Sequence, residues 1–177
     1  MIARRSHAAS QKLPLAARSA SWAAIAASRA PAWAGSTVSW GPDNRECAVR
    51  VASPFWGREA ESTNVELKAC DPSSNPYLAL GGLILAGLDG IERGLSLDPP
   101  VEESLFEMDA ARIAEQGIRE MPGSLGEALE ELERDAVVRE ALGEHVFGHY
   151  LEAKRAEWDA FRLHVSQWEL DRYLEAF

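Results

Sequence analysis

Residues 75–94 constrain this chain more than any other stretch. Asn75 followed by Pro76 joins a favoured helix N-cap to a favoured first helical residue. Leu78, Leu80, Leu83, Ile84, Leu85, Leu88 and Ile91 then fall on nearly every side of one helix, which Glu92-Arg93-Gly94 brings to an end. A helix that is apolar all round is stable only when surrounded, so this one belongs to a substantial protein core. Gly81-Gly82 inside it permits close packing. The longest apolar run, Tyr77 to Leu88, has 12 residues including three Gly. A bilayer span needs about 20, so a membrane is not an expected partner.

Ahead of the helix the period changes from 3.6 to two. Glu46 to Ser53 has strand-like apolar character, and Thr63 to Cys70 alternates. Val65, Leu67 and Ala69 take one face of that strand, and Asn64, Glu66 and Lys68 the other. Pro54-Phe55-Trp56-Gly57 reads as the joining loop. A two-stranded hairpin is marginal alone, so these strands are expected to be part of a larger sheet.

Helices follow the Pro-rich connection at Asp98-Pro99-Pro100. Ser124-Leu125-Gly126-Glu127 fits a capping box, with Leu125, Ala128, Leu129 and Leu132 at helical spacing. Glu144 to Val165 is a long amphipathic helix striped by Phe147, Leu151, Trp158, Phe161 and Val165. Gln167 to Phe177 forms a last short one. The fold class is α+β: a strand hairpin from an incomplete sheet, then mostly antiparallel helices.

Charge divides the chain. Of 177 residues, the first 42 contain five basic groups and no acid, whereas all 28 Asp+Glu lie from Asp43 onward. Residues 1–37 are read as a basic, acid-free leader that is disordered or not native to the fold. Their Arg/Ser/Ala-rich composition also resembles a transit peptide, and a shifted reading frame or wrong start is a third explanation. The net charge of −10 argues against nucleic acid as a partner. Two Cys make no disulfide framework, which favours a reducing, cytoplasmic setting.

The residues able to carry chemistry lie between Trp40 and Asn75. Arg45, Arg50 and Lys68 surround one strand carboxylate, Glu66, on the face it shares with Lys68. Carboxylate oxygens suit Mg²⁺ or Mn²⁺, and Arg grips phosphate in a bidentate fork. From spacing alone a solvated strand face is the better explanation of Glu66 and Lys68. Arg45 and Arg50 are five apart, so a regular strand would point them oppositely. To serve one site, Arg45 must precede the strand or a bulge must intervene. His145 and His149 stand one helical turn apart, a spacing that can hold a metal but more often has a structural role. Cys47 and Cys70 read as small buried residues.

These same segments resemble the glutamine synthetase family. Trp40-Gly41-Pro42-Asp43-Asn44-Arg45, with Arg50 five residues on, is similar to its Asn-Arg-x-x-x-x-Arg signature. Val65-Glu66-Leu67-Lys68-Ala69-Cys70-Asp71, with Asn75-Pro76-Tyr77-Leu78, is similar to its Glu-x-Arg-x-x-Asp-x-x-x-Asn-Pro-Tyr-Leu segment. Ser124-Leu125-x-Glu127, Lys154-x-x-Glu157 and Trp168-Glu169-x-x-x-Tyr173 continue in the family's order. The resemblance covers residues 38–177 and identifies them with the C-terminal portion of the family's catalytic domain.

The resemblance implies an ATP-dependent carbon–nitrogen ligase of nitrogen metabolism that makes glutamine or a γ-glutamylamide through γ-glutamyl phosphate. ATP, glutamate or a related carboxylate, and ammonia or an amine are its implied ligands. Mg²⁺ or Mn²⁺ is its implied cofactor, and homo-oligomers its implied assembly. Arg45 would be catalytic and, with Arg50, would contact ATP phosphates. Glu66 would bind metal and Lys68 the carboxylate substrate. Lys68 stands where the synthetases proper carry Arg, which resembles a divergent branch of FluG-like proteins and γ-glutamyl-amine ligases. One Glu cannot complete an octahedral metal site, so the chain is expected to be a fragment inactive alone. The alternative is a non-catalytic remnant that binds nucleotide or docks onto a full-length family member. A third reading, an unrelated helical interaction module, requires every motif match to be accidental.

Overall fold

The computed structural model describes residues 36–70 and 74–176. The leader expected over residues 1–37 lies outside the described residues, apart from Ser36 and Thr37. Strand β1 (Thr37–Pro42) begins at Thr37, and β2 (Cys47–Ala52) follows after four residues. A loop and the four-residue helix α1 (Glu59–Ser62) lead to β3 (Asn64–Leu67). Then come α2 (Pro76–Glu92), α3 (Ala110–Glu115), β4 (Arg119–Glu120), α4 (Leu125–Arg134), α5 (Ala136–Leu163) and α6 (Gln167–Tyr173). The architecture is α+β, as the sequence indicates, with four strands in the order β3-β2-β1-β4.

The hairpin is present. β2 and β3 run antiparallel, with Arg50 opposite Glu66 and Val51 opposite Val65. The other two strands went unread. β4 is only two residues long, antiparallel to β1. β1 lies parallel to β2, with Thr37 beside Cys47 and Pro42 beside Val51. Parallel neighbours normally need a crossover of a dozen or more residues. Here residues 43–46 return the chain alone, across four strand residues or roughly 13 Å at about 3.3 Å each. Five Cα steps reach at most about 17 Å, so the return has little slack.

The helices begin where their caps dictate. The Asn75 side chain accepts hydrogen bonds from the Tyr77 and Leu78 amides at 3.0 and 3.3 Å. Ser124 accepts from the Glu127 amide. Glu127 turns to the Gly123 amide instead of closing the box. The full reciprocal box occurs at Ser166 and Glu169. Gly143, at φ 72° and ψ 153°, divides α5 into two helical pieces.

Helix α2 differs from its expected burial. Its covered face is Ala79, Gly82 and Ala86, packed with Ala128, Leu129 and Leu132 of α4 and Val138, Phe147 and Leu151 of α5. Gly81 has open space beside it, and of the pair only Gly82 is buried. Leu80, Ile84 and Ile91 are 59%, 52% and 77% exposed. A helix apolar on all sides has no preferred inward face, and the small residues win here because they admit a neighbouring helix most closely. Two smaller clusters sit on the sheet, one of Cys47, Val101 and Leu105, the other of Ala48, Ala69 and Met121. Cys70, expected buried, is exposed.

Tyr150 on α5 links this packing to pH. Burial above all, then the charge of Glu157, pushes its phenol well above the usual range. A raised acid stabilises the fold while the group is neutral in both states. That contribution is complete below the ordinary tyrosine value of about 10 and is lost as pH rises past it. Urea midpoints measured across the alkaline range will fall for the native chain. Tyr150→Phe will flatten that fall, and an unchanged slope would refute the assignment.

Candidate phosphate and metal site

The cross-strand register builds the site. Arg50 on β2 faces Glu66 on β3, and its Nη2 donates to Glu66 Oε1 at 3.1 Å. Lys68 lies two residues beyond Glu66, in the turn that follows β3. Its Nζ donates to Glu66 Oε2 at 3.1 Å. Each oxygen of this carboxylate is therefore held by a different cation. The Lys68 hydrogen bond first, and then the charges of Arg50, Lys68 and Arg45, hold Glu66 below the usual carboxylate range against the opposing effect of desolvation.

Arg45 sits in the turn before β2, one of the two arrangements that its spacing from Arg50 allows. It is exposed, and its charge acts on both Glu66 and Asp43. The structure thus gathers Arg45, Arg50, Glu66 and Lys68 at one corner of the sheet. Arg50 engages Glu66 through Nη2, while its Nε–H is buried with no hydrogen-bond partner among the described residues. A buried, unmet donor is costly, on the order of 1–3 kcal/mol, unless something else accepts from it.

The surrounding clamps went unread. Asp43 adopts φ 51°, unusual for a residue other than glycine. Its carboxylate accepts from the Ser53 amide at 2.8 Å and from Ser53 Oγ, and these bonds hold it below the usual range. Asn44 Nδ2 donates to the Val101 and Glu103 carbonyls at 3.0 Å, and Asn44 Oδ1 accepts from the Glu46 amide. Glu46 accepts from Ser104 Oγ and the Phe106 amide. Trp40 Nε1 donates to the Asp98 carbonyl at 2.7 Å, and the Val101 amide donates to the Trp40 carbonyl. The Trp-Gly-x-x-Asn part of the signature therefore anchors the Pro-rich connection and fixes the turn that carries Arg45. The Asn44-Arg45 pair of the signature was the available signal for this.

The described residues do not complete a metal site. Mg²⁺ and Mn²⁺ prefer about six oxygen ligands. Glu66 offers one carboxylate, already paired on both oxygens, and no group of three or more His, Cys, Asp and Glu suited to a metal occurs among the described residues. His145 and His149 stack edge to face at 4.6 Å on an exposed stretch of α5 without a third ligand.

The corner thus sets Arg50 and Lys68 on one glutamate, Glu66, ahead of the Asn75-Pro76-capped helix α2. The family model described as "Glutamine synthetase, catalytic domain" matches residues 15–173, and the chain belongs to the glutamine synthetase family. It is 46% identical over 144 residues to a glutamine synthetase of Thermus thermophilus, covering 81% of this chain and 31% of that protein. It is 43% identical over 138 residues to one from Methanococcus maripaludis, covering 78% and 30%. A solved structure described as a GmaS/ADP complex superposes with TM-score 0.71 at 24% identity, over 92% of this chain and 38% of that one, which shows the shared fold. The chain thus spans about a third of the length of the relatives it matches.

Proposed function

We propose that this chain is the C-terminal catalytic portion of an ATP-dependent carbon–nitrogen ligase. In that reaction a glutamate or related carboxylate oxygen attacks the γ-phosphorus of ATP and ADP leaves. Ammonia or an amine then attacks the acyl carbon and phosphate leaves. The observation that carries this reading is the convergence of Arg50 and Lys68 on Glu66, with Arg45 near enough for its charge to act on the same carboxylate. Arg45 and Arg50 supply fixed positive charge where phosphoryl oxygens gather charge, and phosphoryl transfer depends mostly on such positioning. Lys68 meets a substrate carboxylate as a point charge where Arg would form a fork, which favours a substrate or amine other than that of the synthetases proper. Glu66 contributes at most one metal ligand, alongside groups that this chain does not provide. Cytoplasmic location and homo-oligomeric assembly follow from the family reading. No helix among the described residues is long and apolar enough to cross a membrane.

Two measurements test the proposal. The chain alone, given ATP, glutamate, ammonia or methylamine, and Mg²⁺ or Mn²⁺, is expected to form no amide, yet to bind ATP in equilibrium dialysis. Turnover by the chain alone would refute the fragment reading, and absence of any ATP binding would refute the phosphate corner. The alternative, a non-catalytic remnant docked on a full-length relative, is favoured by the exposed leucines of α2. Co-purification with such a relative, without gain of activity, would establish it instead.

A further inference from the structure

The corner of this chain departs from a metal-dependent phosphate site, and the departure is legible in its ion pairs. Glu66 Oε1 is taken by Arg50 and Oε2 by Lys68, both at 3.1 Å. A divalent ion coordinating the remaining lone pairs of Glu66 would meet the positive charge of both Arg50 and Lys68, and that of Arg45, which also acts on this carboxylate. Among the described residues the cations, in contrast, are in surplus. Arg45, Arg50 and Lys68 stand against Glu66, while Asp43 is turned to Ser53. Arg50 keeps an unpartnered Nε–H, and Arg45 is exposed with no ion pair among the described residues. An anion needs no charge mediator in such surroundings.

We propose that this corner takes a polyphosphate anion directly, without a divalent ion, and that Glu66 serves as an internal counter-ion spacing Arg50 and Lys68. Lys68 is central to this. Its ammonium, in the turn just after β3, meets the second oxygen of Glu66 as a single point contact and sets a positive charge where a metal would have to approach. The inference rests on the proposed phosphate corner but goes against the metal role of Glu66.

The test uses the full chain and inorganic pyrophosphate as the probe, by calorimetry in EDTA and again in excess Mg²⁺. Pyrophosphate is expected to bind in EDTA and more weakly in Mg²⁺, because complexation lowers the charge of the free anion. Glu66→Gln is expected to tighten binding in EDTA about tenfold, the scale of one removed charge at a partly exposed site. Mn²⁺ added to the native chain without anion should keep the paramagnetic resonance spectrum of the free aqua ion, a readout that needs no variant. Binding seen only with Mg²⁺ and abolished by Glu66→Gln, or Mn²⁺ captured by the native chain, would overturn this inference while leaving the ligase reading intact. Failure of pyrophosphate to bind under both conditions would overturn the two together.

Discussion

Gly41→Ala lowers stability by about 3 kcal/mol, the upper part of the range for forcing extra atoms into a filled space. A Cβ at this position would overlap the Val101 carbonyl oxygen and press on Asn44 Cβ at 3.1 Å. Neither is the loose end of a flexible side chain. Val101 cannot retreat cheaply, because its amide bonds the Trp40 carbonyl and its own carbonyl accepts from Asn44. The same contacts fix the turn carrying Arg45, so pyrophosphate binding should weaken together with the urea midpoint. A midpoint within about 0.5 kcal/mol of the native chain, the range of ordinary surface changes, would show that the connection gives way easily.

Arg50→Ala produces the second large loss. It removes the cross-strand partner of Glu66 and a donor set facing the proposed anion, costing about 2 kcal/mol of binding, or roughly 30-fold, on the scale of hydrogen bonds to charged groups. Arg50→Lys restores charge without the planar fork and should recover only part of the affinity. Full recovery by Lys would mean that net charge alone matters at β2. Thermal melts of both variants separate this from unfolding, since the Arg50 side chain is 16% exposed and lies outside the buried clusters.

Much of this was readable from residue order. Asn75-Pro76 announced α2, period two announced β3, and five-residue spacing left Arg45 either ahead of β2 or beside a bulge. Each of these signals is local, resting on caps and alternation that act within a few residues. β4 escaped notice because two residues carry no periodicity, and β1 because Trp-Gly-Pro does not resemble a strand. The burial of α2 was misjudged for a different reason. Hydropathy says that a helix must be covered but not by what, and here Ala79 and Ala86 pack with α5 while Leu80, Leu83, Leu85 and Leu88 remain exposed. The Asn44 and Glu46 clamps join positions 57 to 60 residues apart, beyond the reach of any local pattern.

The taut link over residues 43–46 also limits how this corner can diversify. With only a few ångströms of spare reach, it tolerates no deletion, and an insertion would swing Arg45 away from its partners. Loop-length variation, the usual route to altered ligand preference, is closed at this edge. New chemistry must arrive through exchanges of single side chains on a fixed backbone, and a lysine at position 68 is a change of that kind.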